Sequence, residues 1–133
     1  MSGLAVITGA SSGIGQEYAR RLAQRGTSLI VVGRREERLA ELAHEFPEVR
    51  IQTVAADIST ESGLQTTIAA IGDQPVTLLV NNAGVAHYGP FAELAPADAT
   101  ELIGVKVLAP TRLARAVVPG MIARGQGNLS LIH

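Results

Sequence analysis

Apolar runs and helical patterns alternate along this chain. Leu4, Ala5, Val6 and Ile7 form an uninterrupted apolar run that predicts a strand over residues 4–8. Ile14, Tyr18 and Leu22 then recur at helical spacing with Ala19 and Ala23 beside them, which predicts a helix from residue 13 to about residue 25. Gly26 supplies the turn into a second strand, residues 27–32, rich in β-branched side chains. In the next helix Leu39, Leu42, Ala43 and Phe46 fall at i, i+3, i+4 and i+7. Glu36, Glu37, Arg38, Glu41 and Glu45 take the other face, and Pro47 stops the helix. Residues 50–55 predict a third strand, 60–71 a helix with a serine or threonine cap, and 76–80 a fourth strand that is apolar apart from Thr77.

Turn-forming and small residues dominate 83–96, and a long helical stretch follows over 97–124. Pro110 lies inside that stretch and must bend or split it, since proline has no N–H and its ring strikes the carbonyl four residues back. After Gly125, Gln126 and Gly127, residues 128–132 begin another strand. Strands and helices in such alternation require right-handed crossovers and a parallel sheet covered on both faces. The expectation is a doubly wound α/β fold of four to five strands in the order 3-2-1-4, with 128–132 as the fifth beside the fourth.

Composition narrows the function classes. The 133 residues have the length of one domain, and 47% hydrophobic against 17% charged residues suits strands buried on both faces. A net charge of −1 without a run of like charges gives no broad field for nucleic acid or an anionic membrane. The absence of cysteine excludes disulfides and the usual zinc sites. His44, His87 and His133 are far apart in sequence, which argues against a metal centre. No run approaches the roughly 18 apolar residues of a membrane span, and no basic segment precedes an apolar core at the N-terminus, so a cytoplasmic location is expected.

Candidate chemistry collects where strands end. Thr8, Gly9, Ala10, Ser11, Ser12, Gly13, Ile14 and Gly15 place three glycines at a strand-to-helix junction, where backbone can approach a phosphate and helix N–H groups can point at it. An acidic residue about 20 positions later would bond the ribose 2′-OH of NAD. That place holds Gly33, Arg34 and Arg35, and two guanidinium groups suit a 2′-phosphate, which favours NADP(H) over NAD(H). Alternatively, Arg35 and Arg38 are solvated partners of Glu36, Glu37 or Glu41. Asp57, followed by Ile58, ends the third strand and either meets an adenine amino group or caps the next helix. Asn81, Asn82, Ala83 and Gly84 end the fourth. Their amides can tie strand ends together, Asn81 being the structural one, while the small residues leave room for a ribose and nicotinamide.

The turn over residues 8–15, Asp57 and the tetrapeptide Asn81, Asn82, Ala83, Gly84 together resemble the N-terminal half of a classical short-chain dehydrogenase/reductase. The resemblance runs from residue 4 to residue 132. It implies a Rossmann-like NAD(P)-binding domain over 1–133, incomplete relative to the family, and hydride transfer between a nicotinamide and an alcohol or carbonyl. In that family a tyrosine is the acid or base, a lysine four residues on lowers its pKa and holds the ribose, a serine polarises the carbonyl, and an asparagine assists.

Tyr18 is followed at that spacing by Leu22 and Tyr88 by Ala92, and the single lysine, Lys106, stands where the resemblance places the asparagine. Ser130 reads as a strand residue, and His133 falls about where the family's serine would be reached. No catalytic residue is therefore assigned. The chain is expected to bind the dinucleotide, to be inactive alone, and to act on a small alcohol or carbonyl only if completed. The alternative is a noncatalytic nucleotide-binding or interaction module. A bare sheet edge beyond 128–132, or the long 97–124 helix, is expected to make it a homo-oligomer.

Overall fold

A computed structural model of the chain describes residues 3–85 and 87–132. The elements run β1 (Leu4–Thr8), α1 (Gly13–Gln24), β2 (Ser28–Gly33), α2 (Glu36–Glu45), β3 (Ile51–Ala55), α3 (Glu61–Ile71), β4 (Leu78–Asn81), α4 (Pro96–Ile103), α5 (Ala109–Arg124) and β5 (Asn128–Leu131). All strand pairs are parallel, in the order β3-β2-β1-β4-β5. This is a Rossmann-like doubly wound sheet, and the chain reverses its direction of travel across the sheet between β1 and β4.

Side-chain alternation divides the core in two. Val6, Ile30, Val32 and Val54 meet Leu64 and Ile71 of α3 and Leu113, Val117 and Met121 of α5. On the opposite face Ala5, Ile7, Leu29, Val31 and Val80 meet α1 and α2 through Ala19, Ala23, Leu39 and Leu42. The buried stripe of α1 is the small one, Gly15, Ala19 and Ala23, while Ile14 at its start is 63% exposed. Small residues let this helix lie close against the sheet, which matters for the site below.

Several element ends differ from the sequence pattern by a residue or two, for local reasons. Val76 is buried but precedes β4, because Thr77 is engaged with Leu4: its N–H donates to Leu4 O at 2.8 Å and its hydroxyl accepts from Leu4 N at 3.1 Å. The 83–96 connection contains one 3₁₀ turn, Phe91–Glu93. The 97–124 stretch is α4 and α5 joined by a π-helical turn, Gly104–Leu108. Pro110 accounts for the wider turn, since an α-helical turn there would press its ring against the carbonyl of Lys106. Gly104 is pinned there, because a Cβ would stand 2.9 Å from Ser59 O. Pro119 lies inside α5, which continues through it.

Among the described residues β5 pairs only with β4, and Leu129 and Leu131 are 51% and 61% exposed. Ser130 is a strand residue opposite Val80, as expected. His133 lies outside the described residues. Among the described residues no helix is long and apolar enough to cross a membrane, and no group of three His, Asp or Glu side chains is placed to hold a metal.

Candidate cofactor site

The C-terminal ends of β1 to β4 open onto one cleft, where connections on either side leave toward opposite faces of the sheet. Gly9, Ser11 and Ser12 line it after β1, Gly33 and Arg34 at the end of β2, Asp57, Ile58 and Ser59 after β3, and Ala83, Gly84 and Val85 after β4. Glu101 of α4 and Val105 of the π-helical turn close the far wall.

Hydrogen bonds lock the first and last of these segments together. Thr8 is 1% exposed, and its hydroxyl oxygen accepts the N–H groups of Asn82 and Ala83, both at 3.1 Å. The Asn82 amide donates to Gly9 O at 3.2 Å. Asn82 therefore stands behind the cleft and shapes it. Asn81 is buried, its backbone oxygen accepts from Ile132 N at 3.0 Å, and its side-chain oxygen has no partner among the described residues.

The glycines make room for close backbone approach. Gly9 and Gly13 have φ of +68° and +56°, the left-handed region that side chains disfavour. A Cβ on Gly15 would collide with Gly9 O and the Asn82 amide, and one on Gly33 would stand 2.8 Å from Ser11 Oγ. The missing side chains at Gly9, Gly15 and Gly33 thus let the β1–α1 turn, the end of β2 and the loop after β4 pack in direct contact, and the strand ends they draw together fit a dinucleotide. The start of α1 fits a phosphate as well. Its N-cap Ser12 makes no side-chain cap and no acid occupies the first turn, whereas α2 starts on Glu36 and Glu37 and α3 on the Thr60 cap, which accepts from Gly63 N at 3.0 Å. The first N–H groups of α1 and the positive end of its dipole are left for an external anion.

Geometry bears on both open alternatives. Asp57 Oδ1 accepts from the N–H of Ser59 at 3.0 Å and from its hydroxyl at 2.6 Å, and Thr60 caps α3, so Asp57 faces the cleft rather than the helix end. Arg34 lines the cleft, while Arg35 is the N-cap residue of α2 and lies outside the lining. Among the described residues neither they nor Arg38 forms an ion pair with Glu36, Glu37 or Glu41. Gly15 is buried behind the lining, Gly13 is exposed at the start of α1 outside it, and Ile14 faces a groove on the outer side of α1 with Tyr18 and Leu22.

Sequence reasoning did not find Ser59, Val85, Glu101 or Val105. Glu101 and Val105 are four residues apart, hence on one helical face, but nothing local shows which face meets the cleft. His87, on the loop after β4, reaches that helix with its Nε2 3.6 Å from Glu101 and its Nδ1 3.9 Å from Asp98. Lys106 also arrives at the rim, since its Nζ is 3.8 Å from the position a Cβ on Gly84 would take. Hydrogen bonding from Arg20 holds the Glu45 carboxyl below its ordinary range, and hydrogen bonding from Arg112, then Gln65, does the same for Glu61.

The family model for short chain dehydrogenase matches residues 3–132. The chain belongs to the short chain dehydrogenase family. It is 40% identical over 131 residues to sulfoacetaldehyde reductase 2 of Chromohalobacter salexigens, covering 96% of this chain and 52% of that protein. L-Sorbose reductase from Gluconobacter frateurii, solved with NADPH and L-sorbose, superposes with a TM-score of 0.89 at 36% identity, covering 98% of this chain and 51% of that one. A short-chain dehydrogenase from Sphingobium yanoikuyae, solved with NADPH, gives 0.91 at 34% identity, covering 97% and 52%. The short-chain dehydrogenase chain described here thus spans about half the length of these relatives.

Proposed function

We propose that this chain is the dinucleotide-binding portion of a short-chain oxidoreductase, that residues 1–133 form one NAD(P)-binding domain, and that it holds NADP(H) in preference to NAD(H). The observation that carries the reading is Arg34, a guanidinium on the cleft wall at the end of β2, where a carboxylate would be needed to accept from the ribose 2′-OH of NAD. Two of the structural relatives contain NADPH, which supports the same preference. Arg34 binds the 2′-phosphate by charge-assisted hydrogen bonds. The free oxygen of Asp57, whose other oxygen Ser59 holds, accepts from the adenine amino group. The first N–H groups of α1 bind the pyrophosphate. Ala83 and Gly84 leave space for the nicotinamide half, and Ile58 packs against the adenosine half. When bound, the cofactor supplies the hydride that passes between nicotinamide and an alcohol or carbonyl carbon.

Within these 133 residues no tyrosine has a lysine four positions on. The chain alone therefore binds cofactor without turning over substrate. Calorimetric titration with NADPH and NADH tests the reading. NADPH is expected to bind at least about tenfold tighter, with no ketone-dependent NADPH oxidation. Equal affinity for the two cofactors would overturn the preference, and absence of binding would favour an interaction module that holds no nucleotide.

A further inference from the structure

Lys106 is the chain's single lysine, and its position follows from the π-helical turn. Gly104 anchors that turn on the β3–α3 loop and Val105 faces the cleft, so the next residue rises at the rim. There Nζ and Cε lie 3.8 and 3.9 Å from the Cβ position of Gly84, a cleft-lining residue after β4. The strand order fixes which part of a dinucleotide lies nearby. Arg34 and Asp57, after β2 and β3, mark the adenosine end, the β1–α1 turn marks the pyrophosphate, and β4 marks the nicotinamide end.

We infer that Lys106 discriminates the redox state of the bound cofactor, favouring the reduced nicotinamide over the oxidised one. The reasoning rests on the proposed dinucleotide reading. An oxidised nicotinamide ring carries a positive charge and a reduced one is neutral. An ammonium at that end repels the first and leaves the second unaffected. Lys106 takes part in no ion pair among the described residues, so its field is not cancelled by a bonded carboxylate. Glu101, which lines the cleft from α4, bears the opposite charge and acts in the opposite sense.

The test is the ratio of the dissociation constants of NADP+ and NADPH, measured by calorimetry on the full chain. In Lys106→Met the ratio is expected to fall about three- to tenfold, in Lys106→Arg to stay within about twofold, and in Glu101→Gln not to fall. Affinity for 2′-phospho-ADP-ribose, which has no nicotinamide, should be unchanged in all three and shows that the variants are folded. An unchanged ratio in Lys106→Met, or an equal fall in Glu101→Gln, would overturn the inference while the dinucleotide reading stands. If the unmodified chain binds none of the three ligands, the dinucleotide reading fails and this inference with it.

Discussion

Replacing Thr8 by valine keeps the β-branched shape and removes one oxygen that two backbone donors share. The N–H groups of Asn82 and Ala83, each 3.1 Å from that oxygen, lose their acceptor, and the loop after β4 loses its tie to β1. A buried donor left unpaired costs about 1–3 kcal/mol. Asn82 and Ala83 are only half-buried, so water can reach them and the lower end applies to each. The extra methyl, in a site 1% exposed, returns about 0.8 kcal/mol of apolar burial. The net expectation is a loss of about 1.2 kcal/mol. In urea, with an m-value of about 1.5 kcal/mol/M, the midpoint should drop by about 1 M at unchanged m. Amide exchange locates the effect, because Asn82 and Ala83 should lose protection while the β2–β3 ladder keeps its own. A loss below about 0.5 kcal/mol, or protection at Asn82 and Ala83 equal to that of the unmodified chain, would refute the role given to the Thr8 hydroxyl.

Other outcomes follow from the same geometry. Arg34→Gln should weaken NADPH about 10- to 100-fold and leave NADH nearly unchanged, whereas Arg35→Gln, outside the cleft, should change both by less than about threefold in the same titration. The Arg20–Glu45 pair, 3.0 and 2.8 Å in a two-pronged contact between α1 and α2, contributes about 0.5 kcal/mol as an exposed bridge. Glu45 has its folded-state pKa lowered, first by the hydrogen bond from Arg20, so that contribution is present above the ordinary carboxylate pKa and lost as pH falls through the lowered value. Denaturation of Arg20→Gln should therefore differ from the unmodified chain at pH 7 and match it below about pH 3. The exposed apolar residues of β5, Leu129 and Leu131, and Ile122 of α5, 74% exposed, should drive self-association. Light scattering at high concentration should show a dimer or larger species, and a strict monomer would refute this.

Features that depend on local pattern were legible along the chain. The alternation of apolar runs with helical periodicity, closed by Gly26, Pro47 and the 125–127 turn, specifies strands, helices and hence a parallel doubly wound sheet, because only right-handed crossovers join parallel neighbours. The glycines of 8–15 specify a turn that side chains would obstruct, and Pro110 marks where the 97–124 helix departs from α geometry. Which side chains meet across the chain depends instead on long-range packing. Asp57 and Thr60 both had the chemistry to cap α3, and only the packing of Ser59 against Asp57 assigns the cap to Thr60. Arg34 and Arg35 are adjacent and alike in sequence, yet one lines the cleft and the other starts α2, because successive side chains leaving a strand point apart. Glu101, Val105 and Lys106 come to the site from about 20 residues beyond β4, carried by a π-helical turn whose docking on Ser59 is a long-range contact that no local spacing encodes.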